Sequence, residues 1–266
     1  GDIRVGDIAT GLPTQGITLT GGLASQGLTI ESRNLQFASD IHLSGDAALT
    51  AMVSQDIGVD AGVTITSIRG DQQYQGQGAD GARAGRFVMA VPSQLNAETG
   101  DIFIYAGDVV VDEIITQGQT NIGSDVLEIL TPIERSGTAG INVVADIIRQ
   151  AAGVRLRTEQ GDIQISANNG APAQSFDMAP GASIESVSGN VRVLADSMVL
   201  ALISTGGEIS LDGGSGFGVI GMADGGLVSA NTLSGQWRSC RQWCVHCGSQ
   251  SADRGCAGDL NGRYRT

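Results

Sequence analysis

The feature that most constrains this chain is a short unit that keeps returning: a glycine, a polar residue, then apolar–polar–apolar. The stretch from Gly181 to Leu211 holds two copies, Gly189-Asn190-Val191-Arg192-Val193 and Gly207-Glu208-Ile209-Ser210-Leu211, with a hydroxyl residue shortly before each, Ser188 and Thr205. A glycine followed by Asn, Asp or Glu marks a tight turn, because glycine accepts positive φ and the polar side chain can bond nearby backbone. Strict alternation after it marks a short strand with one buried face. The unit is turn plus strand, and a fold must accommodate its repetition.

Two variants recur. The first is Gly–apolar–x–apolar, at Gly16-Ile17-Thr18-Leu19, Gly27-Leu28-Thr29-Ile30, Gly62-Val63-Thr64-Ile65 and Gly153-Val154-Arg155-Leu156, with a weaker copy at Gly181. The second is longer, at Gly100 to Ala106, Gly161 to Ala167 and Gly189 to Ala195, with looser copies starting at Gly45, Ala139 and Gly207. Ala139 and Gly161 are 22 positions apart, Gly189 and Gly207 are 18 apart, and Gly100 and Ala139 are 39 apart, close to two periods. The longer gaps contain polar stretches, Gly70 to Gly85 and Asn168 to Pro180, which are expected to be insertions at corners. A period of this size with localised insertions is the signature of a solenoid, in which each coil buries its apolar face only by stacking on its neighbours.

The type of solenoid follows from what each coil contains. The Leu ladder and Asn of leucine-rich repeats are absent, and only Val143 to Ala152 approaches a helical period, with an Ile and Val content that argues strand. The expected fold is all-β: a right-handed parallel β-helix of roughly ten coils over residues 1–234, about 50 Å of rod at ~4.8 Å per coil. The alternation places Ile102, Ile104, Ile163, Ile165, Val191, Val193, Ile209 and Leu211 inward, and Phe103, Gln164, Arg192 and Ser210 outward.

Composition agrees with thin, repetitive layers: Gly is 40 of 266 residues and aromatics only 4%. A formal net charge of −13 disfavours nucleic-acid binding, which wants a basic face. No apolar run reaches membrane-spanning length, so insertion of this segment into a membrane is not expected. Gly1-Asp2-Ile3 already has the turn–strand form, with no signal-peptide pattern before it, and a segment of something longer is expected.

The alternation stops near Ser234. Residues 235–266 hold all four cysteines and both tryptophans. Cys244 and Cys247 form a zinc half-site with His246 nearby, but Cys240 and Cys256 lack the matching spacing. Two disulfides of an exported module are a second reading. A tail foreign to the rod, or a plain disordered terminus, are the others, and an irregular tail is the expectation.

Sites of chemistry are hard to place. Gly216 to Gly221 matches GxGxxG, but no helical pattern follows, so it reads as a glycine-rich corner. Gly213-Gly214-Ser215-Gly216 is similar to a calcium-binding nonapeptide, yet position 218 is Gly where Asp is needed. The candidate acids Asp46, Asp101, Asp162 and Glu208 all occupy the turn position after glycine. His42 alternates outward and has Asp40 and Asp46 in reach, with no partner set for nucleophilic catalysis. Tyr74, Phe103 and Tyr105 are the candidate stacking aromatics. No catalytic, cofactor-binding or metal residue is assigned from this set.

The repeated SGNVRV, TGGEISL, TGDIFI and QGDIQI, joined to Gly–apolar–x–apolar strands, resemble the β-helical repeats of large exported bacterial surface proteins, the filamentous-haemagglutinin-like adhesins and autotransporter-like passengers. The resemblance covers roughly residues 1–234. It implies a structural shaft or adhesin segment, extracellular or on the outer membrane of a Gram-negative-type bacterium, presenting binding loops to glycans or proteins and stacked on adjacent coils of a longer chain. A carbohydrate-active β-helix enzyme or a tailspike-like protein is the alternative.

Overall fold

The computed structural model describes residues 27–78, 81–213 and 219–236, together with the strands Ile3–Val5, Ile17–Leu19, Ser239–Arg241, Val245–Cys247 and Gln250–Ser251. The described residues form a parallel β-solenoid of about nine turns. A single-turn 3-10 segment at Asn168–Gly170 is the one helical element among them. The chain divides into two units, Gly1–Leu127 and Glu128–Thr266.

In the first unit each coil contributes three short strands, one to each of three parallel faces. Face one stacks Leu28–Ser32, Leu49–Val53, Gln72–Gly76 and Ile102–Tyr105. Face two stacks Leu35–Phe37, Ile57–Val59, Arg86–Met89 and Asp108–Val111. Face three stacks Ile41–Leu43, Thr64–Ser67, Gln94–Ala97 and Glu113–Thr116. Parallel pairing sets like positions above one another, so alternation along a strand becomes a ladder across coils. On face one the inner rungs run Leu28, Leu49, Gln72, Ile102 and Ile30, Ala51, Tyr74, Ile104. All eight side chains are buried.

The second unit repeats the plan with face-one ladders that are aliphatic throughout, while Arg135 and Gln150 are buried elsewhere in it. Ile141, Ile163, Val191 and Ile209 form one inner ladder of face one; Val143, Ile165, Val193 and Leu211 form the other. Ile148, Phe176, Met198 and Ile220 line face two; Ile133, Leu156, Ile184, Ile203 and Val228 line face three. The eight positions expected inward are each at most 1% exposed. Complete burial of an Ile or Val contributes about 1.5–3 kcal/mol, so the ladders dominate cohesion. Val143 to Ala152, the one helix-like stretch, belongs largely to the strand Ile141–Gln150.

Two expectations require correction. The first concerns the glycines of the Gly–polar pair. Gly100, Gly118, Gly161, Gly189 and Gly207 do not adopt positive φ. They occupy the corner before face one, where successive coils approach backbone to backbone. A Cβ on Gly161 would lie 1.9 Å from the Ala139 carbonyl oxygen, and one on Gly189 2.3 Å from that of Gly161. Close approach, rather than turn conformation, demands glycine there. Positive φ occurs in the other variant at Gly62, Gly153 and Gly181, with φ of 83°, 71° and 78°, which open the strands of face three. Gly45 of the longer variant shares it at 67°, while Gly27 of the shorter one is a close-approach glycine, where a Cβ would lie 2.3 Å from the Ala48 carbonyl oxygen.

The second correction concerns the two polar stretches. Gly70 to Gly85 is not wholly a corner loop, because Gln72–Gly76 is a core strand of face one with Gln72 and Tyr74 at 0% exposure. Only the segment after it leaves the coil, closed by an antiparallel bridge between Gln77 and Arg83. Likewise Ala173–Met178, inside Asn168 to Pro180, is a face-two strand that buries Ala173, Phe176 and Met178. These strands carry Gln, Tyr, Ser and Asp where the others carry Ile and Val, so their polarity resembles that of a loop.

Beyond Ser234, Ser239–Arg241 and Val245–Cys247 pair in parallel with Val219–Ala230, and Gln250–Ser251 pairs antiparallel with Val245–Cys247. Residues 214–218, which include half of the GxGxxG sequence and most of the calcium-like one, lie outside the described residues. So do Cys244, Cys256 and every side chain of the proposed zinc or disulfide set.

Candidate functional site

The corner acids define the chemistry of the surface. Each stands one residue after the close-packed glycine, so its carboxylate faces the backbone of the adjacent coil. In the first unit Asp71 Oδ1 accepts the Asp101 N–H at 2.9 Å, and Asp101 Oδ1 accepts the Gln119 N–H at 2.7 Å. In the second, Asp162 Oδ1 accepts the Asn190 N–H at 2.7 Å, Asn190 Oδ1 accepts the Glu208 N–H at 2.9 Å, and Glu208 Oε1 accepts from Ser234 Oγ at 2.6 Å. The other two corners repeat the device: the Thr64 N–H donates to Asp40 at 2.8 Å before face three, and the Arg86 N–H to Asp56 at 2.9 Å before face two. These side chains cap backbone donors at the corners, where strand pairing lapses. The structure brings Asp162 and Glu208 into one column through Asn190, and Asp101 onto Asp71, in a structural role.

The remaining sequence candidates fall apart similarly. Asp46 binds exposed Arg69 at 2.5 Å, and that hydrogen bond and charge hold its carboxyl below the usual range. Asp40 is engaged with Thr64 as described. His42 lies exposed on face three beside Thr66. Tyr74 is no surface platform: it packs between Phe37 at 6.1 Å and Phe87 at 5.2 Å, and burial pushes its phenol well above its ordinary pKa. Its hydroxyl donates to Gln72 Oε1 at 2.9 Å, while Gln72 Nε2 donates to the carbonyls of Ile65 and Asn96 and to Ser67 Oγ at 2.9–3.2 Å. This polar network inside the coil was invisible to hydrophobic patterning. Its one sequence signal is Gly70-Asp71, a Gly–polar pair identical in form to the others.

The outer surfaces differ by face. Face three of the second unit carries an ionic ladder: Arg155 Nε meets Glu134 Oε1 at 3.0 Å, and Arg157 Nε approaches Glu185 Oε2 at 3.8 Å. On face two of that unit Arg149 pairs with Glu128 at 3.3 Å beside a shallow, mainly apolar groove of about 390 Å3 lined by Leu130, Met178 and Val199. Face one of the first unit is instead uncharged beyond Glu31, the exposed carboxylate that stands in register with Met52 at one end of it. Its outer rungs are Thr50, Gln73, Phe103, Asn121 and Met52, Gln75, Tyr105, Gly123. Arg83 reaches from the segment after Gly76 to lie 5.5 Å from the Tyr105 ring centroid, donates to the Ser124 carbonyl and pairs with Asp125 at 3.2 Å.

Among the described residues no three His, Cys, Asp or Glu side chains gather in a manner that could hold a metal ion. No protein-family model, curated protein or solved structure matches the chain.

Proposed function

We propose that this chain is a shaft segment of a large secreted or surface-anchored bacterial protein, of the filamentous-haemagglutinin-like or autotransporter-like kind, which holds a binding surface away from the cell. The observation that carries this reading is the use made of the polar side chains at the corners. Asp71, Asp101, Asp162 and Asn190 each accept an N–H of a neighbouring coil, so the polar side chains best placed for chemistry serve stacking. Aliphatic ladders inside and side-chain caps outside give stiffness along the stack. Its partners are host or environmental glycans or proteins and adjacent coils of the parent chain.

Localisation tests the proposal. Antibodies raised against the purified chain should label intact, unpermeabilised cells of the bacterium that encodes it. Labelling only after permeabilisation would overturn the surface reading.

A further inference from the structure

The described aromatic residues are sorted unevenly. Phe37, Tyr74, Phe87 and Phe176 are buried in the core. Phe103 and Tyr105 are the two described aromatics that reach the surface, and they stand on one strand at successive outward positions. Their spacing along the strand is about 6.6 Å, two residues of extended chain. Register places Gln73 and Gln75 beside them on one side and Asn121 and Gly123 on the other. The result is a strip of rings bordered by amides, on a chain of net charge −13 that pairs Arg with Glu on faces two and three of the second unit.

From this arrangement we infer that the outer side of face one in the first unit, centred on Phe103 and Tyr105, binds a neutral oligosaccharide. The inference rests on the shaft reading and moves the binding surface from corner loops to the flat sheet. An aromatic face is electron-rich and takes the weakly positive C–H face of a sugar ring, while amides both donate to and accept from hydroxyls. An acidic polymer would meet a negatively charged protein here without an unpaired cation to receive it, because Arg83 is already bound to Asp125. The rotamer of Tyr105 is fixed beforehand. Arg83 lies against its ring, and the ring crosses Gly123, where a Cβ would come within 2.6 Å of Cδ2. Little side-chain entropy is then lost on binding.

The test is affinity electrophoresis of the full chain through native gels containing dextran, galactomannan, glucomannan or xyloglucan, with polygalacturonate and heparin as acidic comparators. The expected result is retardation by at least one neutral polysaccharide. Phe103→Ala and Gln75→Ala should each weaken it at least tenfold, whereas Arg192→Ala on the second unit leaves it unchanged. Circular dichroism and melting temperature of the variants establish that each is folded; should Phe103→Ala melt early, Gln75→Ala decides. Absence of retardation by every neutral polysaccharide, retardation by the acidic ones alone, or retardation indifferent to both variants overturns the inference. The retained polysaccharides are also assayed for new reducing ends. Cleavage would overturn the shaft reading itself, whereas failure to bind overturns only the platform.

Discussion

The two units solve the same packing problem with different materials. In the second, the ladder Ile141, Ile163, Val191, Ile209 is aliphatic at every rung. In the first, the equivalent ladder runs Leu28, Leu49, Gln72, Ile102, and the next one carries Tyr74. What makes a position inward is therefore its place in the coil, not its hydrophobicity. A polar side chain is admitted there when its partners lie inside too, as they do for Gln72. Aliphatic rungs tolerate no such exchange, since they offer no partner to a newcomer.

Introducing a charge into the aliphatic ladder gives the largest expected effect. Val191→Asp loses ~1.5–3 kcal/mol of burial and adds an unpaired carboxylate, so the second unit should lose about 4 kcal/mol or fail to fold. Arg192→Asp, one residue along and exposed, should change stability by about 0.5 kcal/mol at most. Urea midpoints of the two variants measure the difference, and equal shifts would mean that the ladder is not what holds this unit.

Next comes the contrast between the two glycine classes. Gly161→Ala drives a methyl against a backbone oxygen that has nowhere to go and should cost about 3 kcal/mol. Gly153→Ala meets open space and bears only the left-handed conformation, about 1 kcal/mol. Thermal melts of both separate close approach from φ as the reason for glycine.

A milder perturbation probes the polar rungs of the first unit. Tyr74→Phe keeps the ring packing and removes the bond to Gln72 Oε1, at a cost of about 1–2 kcal/mol. It should also change alkaline behaviour. Because the folded phenol titrates well above its ordinary value near 10.0, the unfolded state releases its proton first. The stabilisation is whole below pH 10 and declines as pH rises from there toward the folded pKa. The variant should show a smaller loss of stability between pH 10 and 11 than the parent. An identical loss would mean that Tyr74 is not buried.

The smallest effect belongs to the surface. Arg155→Ala removes an exposed pairing with Glu134 and should change stability, read from the thermal melt, by less than about 0.5 kcal/mol, and less still in high salt. A larger loss would mean that ionic ladders share in cohesion.

How much of this was legible follows from the same contrast. The face-one strands of the second unit announce themselves, because Ile163-Gln164-Ile165 and Val191-Arg192-Val193 alternate without exception, whereas Ala173–Met178 of the same unit does not. Gln72-Gln73-Tyr74-Gln75-Gly76 does not alternate in polarity at all, since its inner and outer residues are alike in type. Its burial depends on hydrogen-bond partners, Ile65, Ser67 and Asn96, that sit in other strands and are unknown to a local reading. The platform residues Phe103 and Tyr105 were placed correctly as to side for Phe103, yet their amide borders come from strands 30 positions before, at Gln73, and 18 after, at Asn121. Only register brings them together.

Coil length varies while the glycine corner before face one keeps its place. Gly70 and Gly100 are 30 positions apart, Gly100 and Gly118 only 18, yet each stands over the carbonyl of its predecessor. The stack keeps its place by touch rather than by count. For a lineage, this makes the coil an editable clause. Extra residues between corners are absorbed as slack, and excision of 71–100 joins one glycine step to the next with the sentence still grammatical. Such a chain can lengthen, shorten or exchange its outer inscriptions by recombination between copies, without renegotiating its interior each time.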